Sequence, residues 1–396
     1  MKVPSASFSA SVRRLLFATC VVAGVCMAVS ILAQETPFSL DSDEFPIGMF
    51  SVDGDGGMAQ VAKMGVRYVH TYANGRSATP EGIAKDRSYL DMAQKHGLKV
   101  MFNLRGIKWM KTENGLAEMM KLVDAFKDHP ALGFWYFCDE PDGVHKPADL
   151  IPYYHALKKA TPHIPVMIAM AWTKKWYAFN DSLDVLMIDN YPVQHRPFPT
   201  SKLSVMTKFT DGALRLGKPV IPINQCMNWR VLAGDRKEFR GSPVSEMRFP
   251  NDVEIRYWCF SGATQGVRGM FWWSYARSVQ AGYGWINGEF ARTMREFDTF
   301  TKLVAPAHKP VIFKRSRDAN IMMALWRREN VDVLVAVNAW PLEQPMTRWT
   351  EDILAKATLT PWGSTRDTNA TIQNGALKAG IAKPWEVFVW TLTDIE

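Results

Sequence analysis

The 396-residue sequence has few of the residues that build disulfide frameworks and metal centres, with five cysteines and eight histidines. Cys20 and Cys26 lie in the amino-terminal segment, which leaves Cys138, Cys226 and Cys259 at wide spacing and without a CxxC pair. Three such cysteines are not a disulfide framework, and we interpret them as small buried apolar residues. Because the histidines form no HxH or HExxH pattern, we predict no metal and no other cofactor.

The chain also lacks a run of five or more basic residues. Its formal net charge is +8 and its isoelectric point is about 9.1. Lys2, Arg13 and Arg14 precede the first acidic residue, so a chain without residues 1–33 carries +5. A dispersed excess of this size is typical of a solvated surface. We therefore predict that no nucleic acid binds.

Tryptophan is the residue type that stands out. The sequence has 15 of them in an otherwise ordinary globular composition of 47% hydrophobic and 22% charged residues, which excludes an extensively disordered chain. The large face of an indole is favourable only when it is buried or stacked on another group. A ligand with flat apolar faces is therefore a reasonable expectation.

The amino terminus has the pattern of a targeting segment. Basic residues precede the uncharged stretch 15–33, and the polar sequence QETP follows it. This pattern is typical of a secretory signal peptide, here with cleavage after Ala33, followed by a linker over 34–45. The apolar stretch is also long enough to span a bilayer, so an uncleaved anchor is the alternative and the only predicted membrane contact. Either way, we expect the remaining chain to lie outside the cytoplasmic membrane: it is secreted or periplasmic after cleavage, and membrane-anchored without it.

Eight short apolar runs alternate with amphipathic segments from Pro46 onward. They cover residues 46–52, 66–72, 99–105, 132–138, 164–171, 183–189, 218–224 and 267–273. Runs without strict alternation are typical of strands that are covered on both faces of a parallel sheet. Eight strand–helix units over about 250 residues predict an α/β fold, a TIM (β/α)8 barrel over residues 46–305. A doubly wound sheet is the alternative, but no Gly-rich phosphate turn follows the first run.

The pattern changes after the barrel. Five strand-like runs separated by turn residues follow, namely PVIFKRS, IMMALWRR, DVLVAVNAW, KATLT and EVFVWTL. They predict a small all-β sandwich domain over residues 306–396. We find no candidate catalytic group in it and expect it to brace the barrel.

In barrel enzymes the working residues lie at the carboxyl ends of the strands and in the loops that follow. Here those positions are rich in polar and aromatic side chains. Sugar rings have apolar C–H faces that stack on indoles, so the predicted partner is a carbohydrate substrate. The predicted substrate-binding residues are His70, Tyr72, Asn103, Arg105, Asp139, Trp172, Tyr191, Gln225, Trp229, Trp272, Trp273, Tyr275 and Trp285.

Two consecutive acids follow the most apolar of the runs, in the segment FWYFCDEPDG. A carboxyl group at the edge of an apolar wall loses hydration, which favours its protonated form. A general acid needs such an environment, so we predict that Glu140 is the general acid/base. The alternative is structural: Asp139 caps the next element and Glu140 pairs with a base such as Arg105.

A glycosidase needs a second carboxylate across the lumen. Asp189, at the end of the sixth run, is the best placed, although it also suits a role in fixing the following turn. Glu246 lies in a later loop, and Glu254 and Glu289 are further alternatives. The seventh run ends in Asn-Gln without an acid. The sequence therefore leaves the second carboxylate open between Asp189 and Glu246.

These motifs resemble clan A-type glycoside hydrolases over about residues 45–396. The resemblance rests on DEP at the fourth strand, IDNYP at the sixth, NDVEIRYWCFSGATQGVRGMFWWSY before and within the eighth, and the terminal β region. It implies a retaining mechanism, with a strand-four glutamate, matched by Glu140, as acid/base. It also implies a nucleophilic glutamate at the end of strand seven. This sequence has Asn224-Gln225 there, and Asp139 where an asparagine is usual.

Two functions are therefore in competition. The first is hydrolysis of a glycosidic bond in a polysaccharide or oligosaccharide of the cell envelope or outside the cell. The second is a non-catalytic carbohydrate-binding barrel that has lost its strand-seven nucleophile but keeps the aromatic cleft.

The amino-terminal pattern yields a direct prediction. We expect the exported protein to begin at or near Gln34, because the apolar stretch ends at Ala33 before a polar segment. Amino-terminal sequencing of the exported protein checks this, and a chain that still begins at Met1 would identify an anchor.

Overall fold

The computed structural model describes residues 40, 42–171, 173–193, 203–233, 247–280, 282–306, 309–316, 320–329, 331–346, 354–374 and 376–395. Residues 1–33, most of the predicted 34–45 linker, Trp172 and Glu246 lie outside the described residues. Within the described part of the chain, no helix is both long and apolar enough to cross a membrane.

A closed barrel of eight parallel strands forms the first part of the fold. The strands are β1 Ile47–Met49, β2 Tyr68–Val69, β3 Lys99–Asn103, β4 Leu132–Asp139, β5 Val166–Met170, β6 Val185–Asp189, β7 Val220–Gln225 and β8 Met270–Trp273. They follow one another in chain order around the barrel, and β1 pairs with β8 to close it. Each strand falls within or overlaps one of the eight apolar runs, so the predicted TIM barrel is confirmed.

Helices cover the outside of the barrel and bridge its loops. The α-helices are Gly54–Ala62, Pro80–Lys95, Gly106–Met110, Gly115–Phe126, Pro147–Ala160, Trp176–Phe179, Ser204–Leu214, Arg230–Ala233, Asp252–Gln265, Tyr275–Gln280, Tyr283–Trp285 and Ala291–Val304. Short 3-10 helices cover Pro141–Gly143, Thr173–Lys175 and Asn180–Ser182, and a π-helical turn covers Ile286–Phe290.

Local sequence signals set several helix ends. At the start of Asp252–Gln265, the side chain of Asn251 accepts a hydrogen bond from the backbone of Glu254, and Glu254 accepts one from the backbone of Asn251. This reciprocal capping satisfies two backbone donors that the helix leaves free. The helix stops at Gly266, whose φ of 87° is left-handed, a conformation that glycine adopts without steric cost.

Large side chains fill the barrel interior. Inward-facing positions hold Phe50, Tyr68, Met101, Phe134, Tyr136, Met167, Met187, Ile221 and Phe271. The ring of Phe271 occupies the space that a Cβ would need at position 48, which is why a glycine stands there. The lumen is therefore a packed core, and a cavity is left at its carboxyl end.

An antiparallel sheet of five strands follows the barrel, in the order β13-β17-β11-β10-β9. Its strands are β9 Ile312–Arg315, β10 Ile321–Arg328, β11 Val331–Asn338, β13 Thr358–Pro361 and β17 Val387–Thr393. Two small sheets pair β12 Gln344–Pro345 with β16 Ile381–Ala382, and β14 Thr371–Gln373 with β15 Ala376–Lys378. All five predicted runs are strands, which confirms the β-sandwich region. The four extra strands are only two or three residues long and have no detectable period.

The two faces of the main sheet have different partners. On β10, Ala324 and Trp326 pack with the barrel helices, whereas Met323 and Leu325 belong to a separate core beneath the small sheets. This alternation follows from the two-residue period of a strand. It attaches the sheet to the barrel through a continuous apolar layer.

Arg256, on the helix Asp252–Gln265, adds a polar link to that layer. It donates hydrogen bonds to Glu296, to the carbonyl of Val387 and to the hydroxyl of Thr365. The side chains of Arg256 and Glu296 are only 11% and 10% exposed. One guanidinium therefore connects two barrel helices to the terminal sheet.

We expect Arg256→Ala to lower the free energy of unfolding by about 3–5 kcal/mol, because it removes the ion-pair partner of the buried Glu296 carboxylate and the side-chain donor to the carbonyl of Val387. Arg292→Ala is the matched control, since the nearby Arg292–Asp252 pair is exposed on both sides and contributes about 0–1 kcal/mol. Denaturant unfolding of both variants checks this. Equal losses in the two variants would contradict it.

Candidate active site

A cavity of about 690 Å³ opens at the carboxyl end of the barrel. Its wall combines acids with aromatic and small apolar groups. The lining residues are Phe50, Tyr72, Tyr136, Asp139, Glu140, Ala171, Asp189, Asn190, Tyr191, Pro192, Val205, Ile223, Trp229 and Trp273. We call this cavity the cleft. Its volume suits an organic ligand of several rings.

The ends of two strands bring three carboxyl groups to the cleft. Asp139 is the last residue of β4, and Asp189 is the last residue of β6. Glu140 follows Asp139 in a left-handed conformation (φ 47°, ψ 53°), and its N–H donates a hydrogen bond to the carbonyl of Ala169 on β5 at 3.0 Å. This left-handed residue breaks the alternation of the strand, so that both consecutive acids line the cleft.

Two tyrosines hold the carboxylate of Asp139. The hydroxyl of Tyr136 donates to Oδ1 at 2.6 Å, and Tyr72 forms a second side-chain hydrogen bond. Surrounding protein atoms raise the pKa of Asp139, the charge of Glu140 raises it further, and the two phenol donors oppose both effects. Asp139 is thus oriented by neutral donors and stays open to the cleft.

The carboxyl group of Asp189 has fewer hydrogen-bond donors around it than that of Asp139. Its residue is only 9% exposed, and its Oδ1 receives no hydrogen bond from a donor among the described residues. Tyr191 donates to Oδ2 at a long 3.4 Å. Burial raises the pKa of Asp189 well above its ordinary value, and the charge of Glu140 together with a hydrogen bond between the two carboxyl groups raises it further. This environment therefore favours the protonated form of Asp189 more than water does.

Arg105 lies behind the cleft and supports its wall. Its guanidinium donates to the carbonyls of Asn74 and Tyr72, while its backbone N–H donates to the side chain of Asn103 at 3.0 Å. These bonds fix the loop after β2 that carries Tyr72. Arg105 and Asn103 were predicted to bind substrate, but neither lines the cleft. Arg105 instead positions Tyr72, because its guanidinium donates to the loop carbonyls, and Asn103 accepts a hydrogen bond from the backbone N–H of Arg105.

An aromatic wall faces the acids. The rings of Tyr191 and Trp273 are stacked with centroids 5.1 Å apart, and Trp229 meets Tyr191 edge-on at 6.4 Å. The indole N–H of Trp229 donates to the carbonyl of Tyr191 at 3.3 Å, and Trp273 forms a side-chain hydrogen bond with Tyr72. A ring-shaped ligand with apolar faces fits against this wall.

Three of the predicted substrate-binding aromatics lie away from the cleft. Trp272 is fully buried outside the barrel wall, where Phe290 packs edge-on against it at 5.1 Å. Adjacent strand residues face opposite sides, and Trp273 occupies the inner one. Trp285 donates to the carbonyl of Pro250 at 2.8 Å, and the hydroxyl of Tyr275 donates to Gln60. Neither is a cleft-lining residue.

Two further predicted contacts are buried beneath the cleft wall. Gln225 accepts a hydrogen bond from the N–H of Val193 at 2.8 Å and donates to the carbonyls of Val193 and Met227, so it fixes the loop after β6. His70 is fully buried among the rings of Phe50, Tyr72 and Tyr136. The sequence could predict that the side chains of His70 and Gln225 point into the barrel, but not that they lie below the wall of the cleft.

The alternative acids Glu254 and Glu289 lie away from the cleft. Glu254 caps its own helix and forms a two-point ion pair with Arg248 at 2.7 Å. Glu289 belongs to the π-helical turn and does not line the cleft. Among the described residues, no group of three or more His, Cys, Asp or Glu side chains is arranged to hold a metal ion.

Several cleft residues escaped the sequence analysis, notably Phe50, Tyr136, Val205 and Ile223. Tyr136 lies inside an unbroken apolar run, where its polar end gives no periodic signal. Val205 belongs to the helix Ser204–Leu214, far along the chain from the strand ends. The strand ends alone therefore identify the acids of the cleft but not all the residues that form its wall.

Comparison with known proteins supports the fold alone. No protein-family model and no curated protein matches the sequence. Among solved structures, an α-amylase from Geobacillus thermoleovorans in complex with acarbose matches 89% of this chain and 98% of its own, with 8% identity and a TM-score of 0.56. A maltogenic α-amylase from Thermotoga neapolitana matches 89% and 99%, with 9% identity and a TM-score of 0.55.

A family 30 xylanase from Clostridium acetobutylicum matches 88% of this chain and 95% of its own, with 12% identity and a TM-score of 0.50. The chain has the fold of glycoside hydrolase barrels. The resemblance inferred from the sequence is confirmed at that level, that of a barrel with a carboxyl-terminal β region. Fold alone does not assign a reaction, so the activity must be argued from the cleft.

His70 gives a prediction about stability. Neither ring nitrogen has a hydrogen-bond partner among the described residues, and burial, followed by the charge of Arg105, lowers the pKa of His70 from 6.5 to about 3. Below pH 6.5, His70 binds a proton in the unfolded chain but stays neutral in the folded protein. Protonation therefore favours the unfolded chain, and the free energy of unfolding falls as the pH drops towards 3.

We expect His70→Phe to remove this dependence, which amounts to about 1.4 kcal/mol in the free energy of unfolding for each pH unit below 6. Denaturant unfolding of wild type and variant at pH 7, 6 and 5 measures the difference. A stability gap that does not change with pH would contradict the prediction.

Proposed function

We propose that the protein hydrolyses glycosidic bonds in a polysaccharide or oligosaccharide of the cell envelope or outside the cell. The observation that carries this proposal is the meeting of Asp139, Glu140 and Asp189 against an aromatic wall at the carboxyl mouth of the barrel. Hydrolysis of a glycosidic bond needs one carboxyl group that gives a proton and one that is ionised. The cleft brings three carboxyl groups together as candidates for these two roles.

Glu140 is the general acid/base in this proposal. It lies at the exposed side of the acid group, next to open cleft volume, where a leaving oxygen can reach it. Glu140 gives a proton to that oxygen as the bond to the anomeric carbon breaks, and it takes a proton from the attacking water afterwards. The second carboxylate is Asp139 or Asp189, since Glu246 lies outside the described residues.

The aromatic wall supplies the carbohydrate site. The stacked pair of Tyr191 and Trp273 offers a flat apolar surface to a sugar ring, and the amide of Asn190 faces the same volume. Stacking on an indole leaves the hydroxyl groups of the sugar free for polar partners. Binding and proton transfer therefore use different residues of one cleft.

The cellular location is part of the same proposal. The basic and apolar pattern of residues 1–33 supports export, with the barrel outside the cytoplasmic membrane. A substrate in the envelope or beyond it is consistent with that location.

One observation favours the alternative of a non-catalytic carbohydrate-binding barrel. Strand β7 presents Ile223 to the cleft, and the amide of Gln225 is occupied by the Val193 backbone. The position where the resembling family carries its nucleophile therefore holds no acid. In this alternative the aromatic wall binds sugar, and the carboxyl groups only hydrogen-bond it.

Glu140→Gln tests the two against each other. We expect the variant to lose about 10²–10⁴ in turnover, because it keeps the shape of the side chain but has no transferable proton. Sugar binding should survive, since the stacking surface is unchanged. Release of reducing ends from a polysaccharide panel, measured beside binding to the same panel, gives both results.

Glu254→Gln is the matched control, because Glu254 is a buried glutamate outside the cleft whose loss affects helix capping. Its turnover should equal that of the wild type at a temperature where it is folded. Undiminished turnover in Glu140→Gln would refute the hydrolase proposal, and binding without cleavage by the wild type would establish the alternative.

A further inference from the structure

Asp189 is the carboxyl group of the cleft whose surroundings least resemble those of an ionised catalytic residue. It is nine-tenths buried, and its Oδ1 accepts no hydrogen bond from a donor among the described residues. An ionised carboxylate in such a place costs free energy unless hydrogen bonds or an opposite charge compensate it. The 3.4 Å bond from Tyr191 is too long to do so.

Among the residues that the structure describes, the ionisable groups that face Asp189 are acids and phenols. They are the carboxyl groups of Asp139 and Glu140 from the end of β4 and the hydroxyl groups of Tyr72, Tyr136 and Tyr191. On the neighbouring strand β7, the residue in register with Asp189 is Ile223, which carries no charge. Arg105, the cation that acts on Asp139, has its donors on the carbonyls of the loop after β2.

Asp189 and Glu140 are close enough to form a side-chain hydrogen bond. Two carboxyl groups form such a bond only when one of them carries a proton, because two carboxylates have acceptors and no donor. The two carboxyl groups of such a pair release their protons in two steps, and the pKa of each step is a property of the pair and not of one residue.

We propose that Asp189 is a positioning residue that shares one proton with Glu140, and that it acts on the reaction through Glu140 rather than as the second catalytic carboxylate. Asp139 then remains as the candidate second carboxylate of the cleft, held by the hydroxyls of Tyr72 and Tyr136. This inference rests on the proposed hydrolysis for its catalytic meaning, but the shared proton itself does not depend on it. The raised pKa of Asp189 agrees with the geometry.

A titration that needs no substrate tests the shared proton. Full-length protein with carbon-13 at the aspartate carboxyl groups is titrated by NMR as wild type, Asp189→Asn and Glu140→Gln. We expect one wild-type aspartate signal to titrate well above the ordinary aspartate value of about 3.9. That signal should vanish in Asp189→Asn and move to lower pH in Glu140→Gln, which removes the neighbouring charge. A wild-type spectrum without such a signal, or a signal that Glu140→Gln does not move, would overturn the proposal.

The pH dependence of turnover tests the link to Glu140 on any polysaccharide that the wild type cleaves. Asp189→Asn keeps the size of the side chain but removes the second negative charge, so the proton should leave the site more readily. We expect the alkaline limb of the pH–rate profile to move to lower pH by about one unit or more. An unmoved limb would overturn the positioning role.

Asp184→Asn is the matched control at the other end of β6. Asp184 accepts hydrogen bonds from Tyr154, Lys158 and the backbone of Val166, all at 2.8–2.9 Å, and lies outside the cleft. Its loss should lower stability and leave the pH–rate profile in place. If no polysaccharide is cleaved, the hydrolase proposal fails, whereas the titration still decides whether the proton is shared.

Discussion

Closure of eight parallel strands into one barrel is the constraint on which the rest of this structure depends. Because β1 pairs with β8 and every strand runs in the same direction, all the carboxyl ends reach one rim. Residues separated by fifty positions, such as Asp139 and Asp189, therefore meet across the lumen. The packed interior below them leaves open space at that rim, so the chemistry of the molecule concentrates there.

The rim also gathers like charges close to one another, where protein atoms replace part of the surrounding water. Burial and mutual repulsion raise the pKa of both Asp139 and Asp189, with desolvation as the larger effect in each case. The surroundings of the two carboxyl groups differ. Phenol donors orient Asp139, whereas Asp189 has the carboxyl group of Glu140 beside it. Similar side chains thus have different environments within one cleft, which is the arrangement by which a site can hold both an acid and an ionised partner.

Support for the cleft comes from residues that never touch it. Arg105 and Gln225 each use several hydrogen bonds to hold a loop that carries lining aromatics. The terminal sheet packs on the barrel helices through its own apolar face and through Arg256. Rigid support of this kind keeps side chains at a site within the narrow range that proton transfer tolerates.

The sequence by itself determined the architecture and the acids. Apolar runs of strand length between amphipathic segments predict the barrel, since a strand buried on both faces must be apolar throughout, and the acids that end such runs must lie at its rim. Tertiary structure alone decided which of the neighbouring residues face the cleft. Trp272 and Trp273 are identical in type, and His70 and Gln225 point inward yet lie beneath the wall. Depth, loop contacts and the proximity of two carboxyl groups arise from strands brought together in space, and no local pattern in one chain segment records them.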